Sequence, residues 1–306
     1  MKIAAFLSCS ALFMATLASA VAPDDPNKID TCVMPGVVAY TFDDGPGAYN
    51  DQLLAILAKK NVKATFFVLG EMIDENAAQA GALKKMLDAG HQLASHTYSH
   101  SNLDNMTDEK REQEMTSTSD LIFKHAGVRP RYMRAPEGSC AEACTKFMTS
   151  KGLVISHWNV DTNDWRFTGE DPQVATENSM KAIDDVVIAK SDPKTDSFIL
   201  LQHEIHKFSV DFLADRVIDA ILKKGYRFVT MEECVGEKAY LDGSVLPSAS
   251  TSASVSGGAT SSPTATVSGT GVPDKSKDVN SAGTAVMAGW TTTLALGAAA
   301  LCMSML

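Results

Sequence analysis

Between Cys32 and Cys234 the chain alternates short apolar runs with amphipathic stretches, and few folds accept that pattern. Runs at 37–42, 64–69, 92–96, 131–134, 153–160, 197–202 and 226–231 read as strands. The stretches at about 50–60, 76–89, 107–126, 141–151, 172–190 and 209–224 read as helices. Gly90, Gly127, Gly152 and Gly225 stand just past four of these helices, where a left-handed C-cap is expected. Strands separated by helices predict a parallel sheet, open or closed into a barrel.

Polar residues respect one edge of that frame. Asp43 and Asp44 follow the first predicted strand, and His96 and His100 lie at the end of the third. Arg134 ends the fourth, Asp161 and Asp164 the fifth, and His203 the sixth. Parallel α/β barrels place their chemistry at the carboxyl ends of strands, so one edge should carry a site. Gly45-Pro46 stops the first strand, and the adjacent carboxylates before it can divide metal binding from proton transfer. Alone, Asp-Asp-Gly-Pro would read as an ordinary surface turn.

His96 and His100, four residues apart, can reach one ion from a helical turn or a tight loop. The stretch lacks the glutamate of H-E-x-x-H, and at His203-Glu204-Ile205-His206 the second histidine of that pattern would fall at Lys207. Two histidines and one carboxylate still make a hydrolytic zinc set, with coordination positions left for water. Asp43 can then serve as base and His203 as acid, with Asp164 or Asp161 fixing the imidazole tautomer. Arg134 can pair with Asp43 and fix its orientation, although a structural ion pair explains it equally well.

The ends of the chain suggest export. Lys2, the apolar run Ile3–Leu17 and Ala18-Ser19-Ala20 read as a signal peptide over 1–20. A body at 21–243 precedes a Ser/Thr-rich stalk at 244–280, which has too few large apolar residues to bury a core. The small residues Asn280-Ser281-Ala282-Gly283 and the apolar end Ala285–Leu306 resemble a GPI-attachment signal, with Asn280 as the anchor residue and 281–306 removed. Cys32, Cys140, Cys144 and Cys234 remain in the body and allow three pairings. Asn105-Met106-Thr107 is a glycosylation sequon. A net charge of −10 argues against a nucleic-acid partner.

Together these residues resemble the polysaccharide deacetylases, carbohydrate esterase family four, and especially the fungal GPI-anchored chitin deacetylases. The first motif, TFDDGP, stands at 41–46, and the second, a histidine pair, at His96 to His100. The third, usually R-x-P-Y, is Arg134-Ala135-Pro136-Glu137; the fourth, D-x-x-D-W, is Asp161 to Trp165; the fifth, L-x-H, is Leu201 to His203. The resemblance covers about 33–235. It implies a distorted, incomplete (β/α) barrel with about seven parallel strands. It further implies Asp44, His96 and His100 as ligands of a divalent metal, zinc first and cobalt second.

By the same resemblance Asp43 is the base, His203 the acid, Arg134 the support of Asp43 and Asp164 that of His203. Leu201 and Trp165 would wall the acetyl methyl, and the backbone N–H of Glu137 would face the oxyanion. The implied disulfides are Cys32–Cys234 and Cys140–Cys144. Hydrolysis of N-acetyl groups of chitin by a monomer is the function this implies. An O-acetyl esterase of the acetylxylan type and a non-catalytic wall glycan-binding protein are the alternatives. His91, His125, His157 and His206 are expected in structural or surface positions; Tyr98, Trp158 and Phe208 could face a sugar, with core packing the default for each.

Overall fold

The computed structural model describes residues 28–245. The expected signal segment 1–20, the expected anchor residue Asn280, the expected tail and nearly all of the expected stalk lie outside the described residues. Packing continues slightly past the expected boundary, because Arg129 N–H donates to Ser244 Oγ at 2.9 Å and Val245 N–H to Gly127 O at 2.7 Å.

Among the described residues nine strands make one sheet: β1 Lys28–Ile29, β2 Val37–Gly45, β3 Thr65–Val68, β4 Gln92–Ser95, β5 Tyr132–Met133, β6 Val154–Ser156, β7 Val160–Asp161, β8 Phe198–His203 and β9 Arg227–Val229. All pairings between them are parallel, in the order β1-β6-β5-β4-β3-β2-β8-β7, with β9 on β2. The α-helices among the described residues are α1 Asn50–Lys60, α2 Gly70–Glu75, α3 Ala77–Asp88, α4 Asp108–Ala126, α5 Glu142–Ser150, α6 Pro172–Ala182, α7 Ala214–Lys224 and α8 Met231–Val235. The four glycines expected past helices all take positive φ.

One expectation fails. The apolar run 153–160 is not one strand but two, broken at His157-Trp158-Asn159. β6 pairs at one end of the sheet and β7 at the other. Four peptide steps from Ser156 to Val160 reach at most about 15 Å. The two ends of the sheet must therefore approach one another without hydrogen-bonding, which curls the sheet into an incomplete (β/α) barrel.

The register of β2 explains which side chains enter that barrel. Val38, Tyr40 and Phe42 pack outward with Leu53 and Leu57 of α1 and Val217, Ile218 and Ile221 of α7. Val37 and Ala39 pack inward with Phe67, Tyr132 and Ile199. Strand period two then sends Thr41 and Asp43 inward as well. In α7 the buried positions Ala214, Val217, Ile218 and Ile221 follow helical spacing, and Gly225 at φ 105° ends the helix. Removing a side chain such as Leu57, which is fully buried, should cost about 2–5 kcal/mol.

Disulfides join Cys32 to Cys234 and Cys140 to Cys144. The first spans 202 residues, tying the start of the body to α8. Closing a loop of that size stabilises by roughly 5 kcal/mol in the chain-entropy account.

Candidate active site

Period two would turn Asp44 away from Asp43. A bulge prevents this. The β2–β3 register shifts between Asp43 and Gly45, and Asp44 takes φ 73°. The extra residue re-aims its carboxylate into the cleft that Asp43 faces. Of the six described residues other than glycine with positive φ, Asp44, Thr97, His100, Glu137 and Asn163 all lie along this edge. Such backbone costs about 1–3 kcal/mol per residue, and its concentration here marks a functional region.

Asp44 Oδ1 lies 3.3 Å from His96 Nε2 and 3.4 Å from His100 Nε2. The three donor atoms fall within 4.8 Å of one another. His96 follows β4, and His100 returns through a tight loop rather than a helical turn. The ring nitrogen Nδ1 of His96 is 2.9 Å from Arg134 O, an acceptor that requires Nδ1–H and leaves the Nε2 lone pair free. Burial alone would raise the Asp44 carboxyl, but His96, then His203 and His100, hold it well below the usual carboxylate range. Burial lowers His96, yet Asp43 and Asp44 outweigh it and raise the imidazole.

Asp44 Oδ1 is buried and has no hydrogen-bond partner among the described residues. A buried oxygen without a donor is costly unless something else satisfies it. One carboxylate and two imidazoles converging on a small volume match the donor chemistry of zinc and its neighbours. The residues present thus fit a divalent cation.

Asp43 meets Arg134, which directly follows β5. Arg134 is fully buried, and all five of its N–H groups donate. Nη1 donates to Asp43 Oδ1 at 2.7 Å and Thr41 Oγ1 at 2.8 Å; Nη2 donates to Ser156 Oγ at 3.1 Å and His157 O at 3.0 Å. Nε donates to Ser156 O at 3.4 Å. The guanidinium also lies 4.2 Å from the Phe67 ring centroid and 5.4 Å from that of Trp158.

His203 ends β8, in phase with Ile199 and Leu201 on the inner face. Its Nδ1–H donates to Asp164 Oδ1 at 2.7 Å, and Asp164 Oδ2 accepts His203 N–H and Ser209 Oγ–H. Burial lowers the imidazole, but Asp164, then Asp43 and Asp44, push it up to about 9. Behind this pair runs a buried chain: Tyr40 Oη donates to Gln202 Oε1, and Gln202 Nε2 donates to Ser209. Asp161 instead accepts Asn163 N–H and lines the mouth of the cleft, so Asp164 is the partner of His203.

The cleft measures about 500 Å³. Asp43, Asp44, His96, His100, Glu137, Trp165, Leu201 and His203 all line it. Leu201 is buried, Trp165 is 47% exposed at the rim, and Glu137 takes φ 56°. Trp158 joins both of its expected settings. It lines the cleft, stacked on His157 at 4.2 Å, while its other side packs against the inner core cluster. His91 is buried as expected, with Nδ1 accepting Ala64 N–H. Asn105 is exposed just before α4.

Residues 30–155 match the family model described as polysaccharide deacetylase. A chitin deacetylase of Colletotrichum lindemuthianum is 34% identical over 208 residues, 67% of this chain and 82% of that one. Its solved structure superposes with a TM-score of 0.65, covering 69% of this chain and 92% of that chain. A chitin deacetylase of Arthroderma benhamiae is also 34% identical, over 68% of this chain but only 54% of its own length. The solved Bc1960 peptidoglycan N-acetylglucosamine deacetylase has a TM-score of 0.61 at 30% identity, covering 70% of this chain and 95% of that chain. With the curled parallel sheet, the polar edge and these relatives in agreement, the chain belongs to the polysaccharide deacetylase family.

Proposed function

We propose that this protein hydrolyses N-acetyl groups of N-acetylglucosamine residues in chitin, giving chitosan and acetate. One observation carries the proposal. The Asp43–Arg134 and His203–Asp164 pairs face the same cleft as the Asp44–His96–His100 cluster. A base and an acid beside a cation-competent set are what amide hydrolysis needs, because water must lose a proton and the amine must gain one.

Asp44, His96 and His100 would hold the divalent metal, with zinc first by donor type. Bound there, the metal supplies Lewis-acid polarisation of the carbonyl and a water of lowered pKa. Asp43 Oδ2 is free of Arg134 and accepts the proton of the attacking water, while Arg134 anchors Oδ1. His203 carries its acidic proton on Nε2, because Asp164 takes the one on Nδ1. That Nε2–H goes to the nitrogen as the C–N bond breaks, leaving acetate and a free amine. Leu201 and Trp165 would border the acetyl methyl, and the Glu137 N–H would donate to the oxyanion.

The two disulfides fit an oxidising, extracellular compartment. We extend this to secretion through the 1–20 signal, a glycan at Asn105 and a GPI anchor at Asn280. Release from cells by a phosphatidylinositol-specific phospholipase C tests the anchor. Acetate release from chitin oligomers, set against acetylated xylan, tests the substrate. Release from xylan alone would replace the amidase by an esterase. No release from either, by folded and metal-loaded protein, would leave a glycan-binding protein.

A further inference from the structure

The loop between His96 and His100 is gripped from both sides, and both grips come from outside every motif. Thr97 at φ 72° and His100 at φ 53° hold costly backbone that the surroundings must enforce. On one side the first N–H groups of α2 do so: Gly70 donates to Thr97 O at 3.0 Å and Glu71 to Tyr98 O at 2.9 Å. Gly70 is what lets α2 approach, since a Cβ there would lie 2.4 Å from Tyr98 Cδ2.

The other side is held by Glu114 on α4. Its Oε2 accepts Tyr98 N–H at 2.8 Å and Ser99 N–H at 2.9 Å, and its Oε1 accepts Ser99 Oγ–H at 2.8 Å. Consecutive backbone N–H groups form a concavity suited to an anion, and here one side chain fills it. The helix is tied to the same loop further on, where Arg111 Nε donates to Leu103 O at 2.9 Å.

We infer that Glu114 is a positioning residue for the cation site: it sets the spacing of His96 and His100, and so cation affinity. It does this without touching the cation or the substrate. The inference rests on the proposed ligand set Asp44, His96 and His100. A carboxylate suits this place because one charged oxygen accepts both N–H groups and charge-assisted bonds are the stronger ones; glutamine keeps only a neutral oxygen for them, and aspartate is one methylene too short.

The test measures zinc affinity of the full chain by competition with a chromogenic chelator, together with hydrogen exchange at Tyr98 and Ser99. Glu114→Gln should weaken zinc binding about 10- to 100-fold, as loss of a group orienting a ligand does. It should speed exchange at both amides, and acetate release should recover at saturating zinc. Glu112→Gln, one turn-edge away and paired with Lys151, should bind zinc as the parent does. Unchanged affinity in Glu114→Gln would overturn the inference. A parent protein that binds no zinc would overturn the ligand set instead. If Glu114→Gln does not fold, Glu114→Asp decides: intermediate affinity supports the inference, and parental affinity overturns it.

Discussion

Replacing Arg134 with methionine should cost stability as well as activity, and the structure sets the size. The guanidinium is fully buried, donates five hydrogen bonds and neutralises Asp43, whose side chain is 3% exposed. Without a metal, removing the cation leaves a carboxylate buried beside Asp44. Breaking such a pair costs about 3–5 kcal/mol. In a body of this size that is a fall in Tm of roughly 6–20 °C, at about 2–4 °C per kcal/mol. Adding Asp43→Asn removes the stranded charge, so the double variant should regain roughly 1–3 kcal/mol over Arg134→Met alone. Urea unfolding of both single variants and the double, at neutral pH with chelator, closes the cycle. If the two single losses simply add, within about 0.5 kcal/mol, charge compensation is not what holds the pair.

Other residues give sharper single readings. Burial, and then the charge of Lys63, lower His91 to about 4, and its Nδ1 must stay unprotonated to accept Ala64 N–H. An ordinary histidine near 6.5 in the unfolded chain binds the proton first, so its contribution is complete above pH 6.5 and lost as pH falls through 4. That loss is about 3 kcal/mol, and unfolding profiles parallel to those of His91→Asn would rule it out. Asp164→Asn should move the alkaline limb of the rate–pH profile downward, because Asp164 is the group that most raises His203; an unmoved limb would count against it. Gly45→Ala should destabilise by about 1–3 kcal/mol, since the new Cβ would stand 1.7 Å from buried Glu204 Oε1. Pairing it with Glu204→Ala should relieve most of that cost, and no relief in chemical unfolding would refute the steric account.

What could be read from the sequence was periodic or punctuated. The apolar runs placed Asp43, His96, Arg134 and His203 at the carboxyl ends of strands, and glycines marked helix ends. The bulge at Asp44 was hidden, because no residue type announces an aspartate at positive φ. Leu153–Val160 looked like one strand because apolarity does not reveal a change of sheet partner. Trp158 was open to core or sugar on sequence grounds, and the same break lets it serve the core and the cleft together. The short elements β1, α2 and α8 fell below any periodic signal. Gln202 lay within a recognisable motif, but its link through Ser209 to Asp164 exists only in three dimensions.

The central claim is that neighbouring aspartates divide the work, Asp44 holding the metal and Asp43 moving the proton. Bound zinc and acetate release from a chitin oligomer, measured together in Asp43→Asn and Asp44→Ala, test it directly. Asp43→Asn should keep its zinc and lose about 10²- to 10⁴-fold in rate, the range of a removed general base. Asp44→Ala should lose zinc and rate together. Zinc lost from Asp43→Asn, or retained with full activity in Asp44→Ala, would contradict the account.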